Sequence, residues 1–165
     1  GGRTLPAMLA MVRDASGKPL TIHRTYLGLD GKKAAIEAPR RVMPGPLTKG
    51  CAIRLFEVES GTLGIAEGID TALAASALFE IPVWSAINST LLSSFQPPEG
   101  ISELAIVADN DIGFAGQAAG YHLAHSVHGK LDVTVSLAPV AGQDWADVLA
   151  GKSAARRALS AEVNQ

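Results

Sequence analysis

One cysteine, Cys51, is all that the 165 residues contain, so no internal disulfide can form, and the expected compartment is a reducing cytoplasm. The apolar runs are too short to span a bilayer as a helix. No secretory leader is read at the front, and no membrane partner is expected. Internal repeats and low-complexity tracts are absent too. Charge is sparse, at 18% of residues, and nearly balanced at −2, whereas hydrophobic residues reach 47%. That composition supports one cored domain, or one domain with a small appendage.

The near-zero net charge hides a division. Residues 1–57 hold ten Lys/Arg against four Asp/Glu, and residues 58–165 hold four against twelve. A basic front joined to an acidic rear suggests a phosphate-contacting surface beside a metal site. Two ordinary solvated faces would give the same count. The candidates for holding nucleic-acid or nucleotide phosphates are Arg24, Lys32, Lys33, Arg40, Arg41 and Arg54, with Lys49 beside them.

Residues 5–13 and 20–29 read as strands joined by a turn at Gly17. Asp30-Gly31 is a second hairpin signal, leading to a short strand near Lys33–Ile36. The prolines and glycines of residues 39–50 predict a loop, and Cys51–Val58 alternates like a half-buried strand. From Thr62 the pattern becomes strand–helix alternation. Strands are expected at 62–66, 82–86, 103–108 and 132–137. Helices are expected near 68–80, 88–95, 112–128 and 152–163, with a helical turn near 144–150. Such alternation predicts an α/β fold with a parallel sheet flanked by helices, preceded by a small antiparallel β unit. The expected divisions are a basic β-rich subdomain at 1–58, an α/β domain at 59–150 and a C-terminal helix at 151–165.

Two acidic motifs carry the chemistry. TLGIAEGIDTALAA (62–75) and LAIVADNDIGFAGQAAG (104–120) each run from an apolar strand to an acid and on into an Ala-rich helix. In an open α/β sheet that acid sits at the carboxyl edge of a strand, where ligands bind. Glu67, Asp109 and Asp111 would converge there, and three carboxylates with no evident basic partner call for a cation. Hard oxygen donors suit Mg²⁺, with Mn²⁺ as a substitute. Each acid also has a plainer reading. Glu67 fits the start of a helix dipole, and Asp111 would serve as an N-cap to the helix beginning near Gly113.

Together AEGIDTALA, VADNDIGFAGQAA and the trailing PVAGQDWADVL (139–149) resemble a Toprim domain, of the kind found in phage- and plasmid-type DNA primases and primase-helicases. HRTYLGLDGKKA (23–34) and RLFEVESGTLGIAEG (54–68) resemble the region that precedes Toprim in those proteins. The resemblance implies metal-dependent phosphoryl transfer on nucleic acid, most simply RNA-primer synthesis from nucleoside triphosphates on single-stranded DNA. Glu67, Asp109 and Asp111 would be catalytic and hold the metal. Asp144 would lie near that metal, although it also reads as an N-cap to a short helix. Further domains of a longer chain, a helicase or a zinc module, are expected partners. The alternatives are a Toprim nuclease using the same acids, or a non-catalytic DNA-binding or docking module of a replication or mobilisation protein. Many Toprim proteins have a glycine where the second strand ends, and this chain has Ser85-Ala86-Ile87-Asn88-Ser89.

Other motifs carry less. His122, His125 and His128 spread over too wide an arc of a helix to meet at one metal. Ala150-Gly-Lys-Ser153 lacks the earlier glycine of a phosphate-binding loop, since position 146 is alanine. Tyr26 and Tyr121 have no motif of a topoisomerase nucleophile around them. Gly113 stands close enough to Asp111 to serve the site, whereas Gly116 and Gly120 are expected to pack on the sheet.

Overall fold

The computed structural model describes residues 4–153. Its strands are β1 (Ala7–Arg13), β2 (Pro19–Tyr26), β3 (Arg40–Val42), β4 (Ala52–Ile53), β5 (Thr62–Ala66), β6 (Val83–Ser85), β7 (Glu103–Ala108) and β8 (Asp132–Leu137). The helices α1 (Ile69–Phe79), α2 (Ser89–Ser93) and α3 (Ala115–Val127) connect the rear strands. All eight strands form one sheet in the order β3-β2-β1-β4-β6-β5-β7-β8. The first four are antiparallel to their neighbours, and β6-β5-β7-β8 are parallel.

The parallel strands are apolar because both of their faces are covered. On one side, α2 and α3 bring Leu91, Leu92, Leu123 and Val127 against Ile53, Leu63, Ile65, Leu104 and Ile106. On the other, Ala72 and Ala75 of α1 pack with Ala66, Val83, Val107, Ala138 and Trp145. Phe79 of α1 meets Trp145 edge-on, with ring centroids 5.0 Å apart. Gly64 interrupts β5 for a steric reason, since a β-carbon there would lie 2.6 Å from Cγ2 of Val83.

β5 lies in the middle of the parallel set, with β6 on one side and β7 on the other. The chain leaves β5 for α1 on one face and leaves β7 for α3 on the opposite face. Adjacent strands with diverging exits leave a crevice outside their carboxyl ends.

The front of the chain departs from the sequence reading at three places. The expected loop at 39–50 contains β3, which needs only β2 as a neighbour, so Pro39 and Pro44 flank it without breaking a ladder. No strand forms at Lys33–Ile36, where a lone bridge joins Leu27 to Lys33. The strand expected at 51–58 shrinks to Ala52–Ile53. Arg54 turns away to donate to the carbonyls of Asp14 and Ala15 and lies 4.6 Å over the Trp84 ring. At the other end, residues 145–153 form one uninterrupted helix instead of a turn and a separate helix. The rest of the expected 152–163 helix lies outside the described residues. Among the described residues, no helix is long and apolar enough to cross a membrane.

Candidate active site

Glu67 follows the last residue of β5, and Asp109 follows the last residue of β7. These strands are direct neighbours, with Ala66 paired to Val107, so the two acids border the same crevice. Each is partly buried. Burial pushes the Glu67 carboxyl above its ordinary range, and the charges of Asp109 and Asp111 add to that. Arg40 and the Ser89 backbone N–H oppose the rise. Asp109 is raised chiefly by burial and further by Asp144 and Asp111, against the Thr71 hydroxyl and the Trp145 backbone N–H. Four acids from three segments therefore act on one another at this edge.

The fold holds them by named bonds. Thr71, buried in the first turn of α1, donates to both carboxylate oxygens of Asp109 at 3.0 and 3.2 Å. The Gly116 backbone N–H donates to Oδ2 of Asp111 at 2.9 Å, so Asp111 caps α3 from four residues before its first residue. A β-carbon on Gly116 would lie 3.0 Å from that oxygen and 3.1 Å from the Asp109 carbonyl. Gly116 is thus the glycine that serves the acids, whereas a β-carbon on Gly113 would meet open space. Gly120 packs on Ala108 and Ile106, as expected from the sequence. Asn110, between the two aspartates, donates to the Ala138 carbonyl and accepts from Gln117 Nε2. The indole N–H of Trp145 donates to the Ala108 carbonyl at 3.0 Å. Asp144 accepts from the Asp147 backbone N–H at 2.9 Å, so it caps its helix as well as facing Asp109.

The turn after β6 borders the same edge. Ser85 Oγ donates to the Glu67 carbonyl and accepts from the Ile87 N–H. Ile87 takes the left-handed φ of 77°.

The front-third cations are placed differently from one another. Arg40, on β3, reaches the crevice: its guanidinium lies 3.7 Å from where a Gly68 β-carbon would be, and its charge acts on Glu67. Lys33 forms an ion pair with Asp70 of α1. Arg54 is engaged at the β1–β2 turn, and Arg24 lies 5.5 Å over the Tyr26 ring. Arg41 donates to the Ala38 carbonyl, and Lys32 is exposed. Sequence reasoning missed Thr71, which lies one helical turn after Glu67 and reads there as an ordinary helix residue.

Among the described residues, no three His, Cys, Asp or Glu side chains are placed to grip an ion by themselves. Mg²⁺ typically needs only one or two carboxylates, taking its other ligands from water and substrate phosphate. The oxygen-only donor set and the mutual repulsion at Glu67 and Asp109 fit such an ion.

In an open α/β sheet, ligands bind in the crevice at such a switch point. The Toprim domain family matches residues 62–155, more than half of the chain, and the chain belongs to that family. Residues 1–55 match a domain of unknown function, DUF7146. No curated protein matches the sequence. The fold is similar to a DNA primase domain from Pseudomonas aeruginosa, with TM-score 0.60 and 16% identity over 96% of this chain and 51% of that one. It is similar to the RNA polymerase domain of Mycobacterium tuberculosis primase DnaG, with TM-score 0.53 and 22% identity over 88% and 51%. A DnaG primase catalytic domain bound to ssDNA gives 0.55 and 13% over 88% and 48%. The chain thus spans about half the length of the primase structures it matches.

Proposed function

We propose that this chain is the catalytic Toprim portion of a DNA primase, joining ribonucleotides on single-stranded DNA in a reaction dependent on Mg²⁺ or Mn²⁺. The observation that carries the reading is the acid pair at the switch point. Glu67 and Asp109 are both pushed up by burial and by neighbouring negative charge, with the Arg40 cation acting on Glu67. Asp109 and Asp111 are the residues that would hold the metal, with Asp144 beside them. Bound there, the ion would polarise the phosphoryl oxygens and neutralise developing charge.

In this reading the chain's own side chains position the substrate and move one proton. Arg40 offers a guanidinium to the nucleotide phosphates at the crevice. The Glu67 carboxylate accepts the proton of the attacking 3′-hydroxyl, and a carboxyl held above its ordinary range is better suited to that task near neutrality. The 3′-oxygen then bonds to the α-phosphorus as the bond to pyrophosphate breaks. Single-stranded DNA would run along the basic front third. The rest of a primase, including a zinc module or a helicase, would lie on further domains.

The test is incubation with single-stranded DNA, labelled nucleoside triphosphates and Mg²⁺ or Mn²⁺, with the full-length protein run in parallel. Short RNA products are expected, reduced about 10²–10⁴-fold in Glu67→Gln. Cleaved DNA without RNA product would mean that water is the nucleophile and the protein is a nuclease. Equal RNA yield from Glu67→Gln would remove Glu67 from the chemistry.

A further inference from the structure

The loop between the aspartates and α3 exposes its apolar side chains instead of burying them. Ile112 is 80% exposed and Phe114 is 69% exposed. Val140, 53% exposed, lies in the neighbouring turn. That turn is tied to the aspartate loop, because the Gly142 N–H donates to the Asn110 carbonyl at 2.7 Å. Ile112 covers it, with Cδ1 3.7 Å from where a Gly142 β-carbon would be.

Phe114 does nothing for the fold that explains its presence. It holds the helix N-cap position with φ 61° and ψ 12°, a left-handed conformation that is an outlier for a bulky residue. The neighbouring Gly113, which would take that conformation freely, does not have a positive φ. The ring supplies no cap, since Asp111 does so through Gly116, and it supplies no core. Of the three non-glycine residues with positive φ among the described residues, Glu80 is an ordinary helix end, whereas Ile87 and Phe114 both lie on the carboxyl edge. Strained backbone of this kind collects at functional sites.

We propose that Phe114, in the same exposed loop as Ile112, is a stacking platform for a nucleobase whose phosphate is bound at the Asp109–Asp111 edge. The inference rests on the functional reading above and deepens it by naming what holds the base. An exposed aromatic face beside a phosphate site suits any base, because every base offers a π-face to stack upon. Arg40, together with a divalent ion that the carboxylates would hold, would take the phosphate end of the ligand, and Phe114 the other.

The test is a cycle between the ring and the base, with Mn²⁺ present. Wild type, Phe114→Ala, Phe114→Gly and Phe114→Tyr are titrated with single-stranded DNA and with an abasic strand of equal length. The same proteins are titrated with a nucleoside triphosphate and with inorganic triphosphate. Phe114→Ala and Phe114→Gly are expected to weaken the base-bearing ligand about ten-fold, leave the base-free one unchanged, and be matched by wild-type binding in Phe114→Tyr. Loss confined to DNA identifies a template or primer base, and loss confined to the triphosphate identifies the incoming nucleotide. Phe114→Gly is also expected to melt no lower than wild type, because glycine relieves the backbone. Undiminished binding by Phe114→Ala, equal loss with and without the base, or a lowered melting temperature in Phe114→Gly overturns the platform alone. If wild type binds none of the four ligands, the primase reading falls and the platform falls with it.

Discussion

The Thr71 hydroxyl spans both oxygens of Asp109, at 3.0 and 3.2 Å, and so ties the first turn of α1 to the end of β7. This bond fixes the carboxylate and is the largest influence that lowers its proton affinity. Thr71→Val keeps the buried volume and removes the donor. The expected cost is about 1–2 kcal/mol of stability in chemical denaturation. Mn²⁺ binding by calorimetry should weaken about ten-fold or more, as is usual for loss of a ligand's supporting partner. Thr71→Ser should restore both. Wild-type Mn²⁺ affinity in the valine variant would show that Asp109 needs no support from α1.

Burial and like charge raise Glu67 and Asp109 above their ordinary values of 4.5 and 3.8. A carboxyl raised in the folded state holds its proton there more tightly than in the unfolded chain. The linked stability is therefore full below the ordinary values and is lost as pH rises through the folded ones. In metal-free buffer, wild type should lose melting temperature relative to Asp109→Asn as pH rises from about 4 toward 7. Divalent ion should recover that loss at neutral pH and do little in acid. Parallel pH profiles for the two proteins would contradict the sign argued here.

Asp111 caps α3 and, in the proposed reading, also holds the metal, and substitution can separate the two. Asparagine caps helices about as well as aspartate, so Asp111→Asn should keep α3 intact and weaken only divalent binding. Asp111→Ala should lose about 1 kcal/mol of stability as well. Equal Mn²⁺ affinity in wild type and Asp111→Asn would reduce this residue to a cap.

Arg40 is the front-third cation that acts on Glu67, whereas Arg54 is engaged by carbonyls and an indole. Arg40→Glu should weaken single-stranded DNA binding and reduce the slope of log affinity against log salt by about one per lost phosphate contact. Arg54→Gln should leave that slope unchanged and lower the melting temperature instead. Reversed outcomes would move the nucleic acid to the β1–β2 turn.

Strands β5, β7 and β8 were legible to the residue, because each is an apolar run with a sharp polar end. The placement of Glu67 and Asp109 at strand ends on one edge followed from the same pattern, whereas the adjacency of β5 and β7 did not. Strand β3 was hidden by Pro39 and Pro44, whose cost disappears on a strand that needs a single neighbour. Gly116 took the role expected of Gly113 because the start of α3 depends on a left-handed Phe114 and on the Asp111 cap, neither of which spacing reveals. Thr71 was invisible for a related reason. A threonine in a helix acquires a task only when another strand delivers its partner.

The two-residue strand β4 has a consequence for how the chain tolerates insertion. Among the described residues, strand pairing between the basic and acidic halves rests on Ile53, which faces Val12 on one side and Ser85 on the other. Side chains alternate faces along a strand, so a slip of one residue there would turn the antiparallel half over relative to the parallel half. Arg40 would then be carried away from Glu67 although neither residue had changed. The spacing between guanidinium and carboxylate is thus written in strand register, some way along the chain from either group.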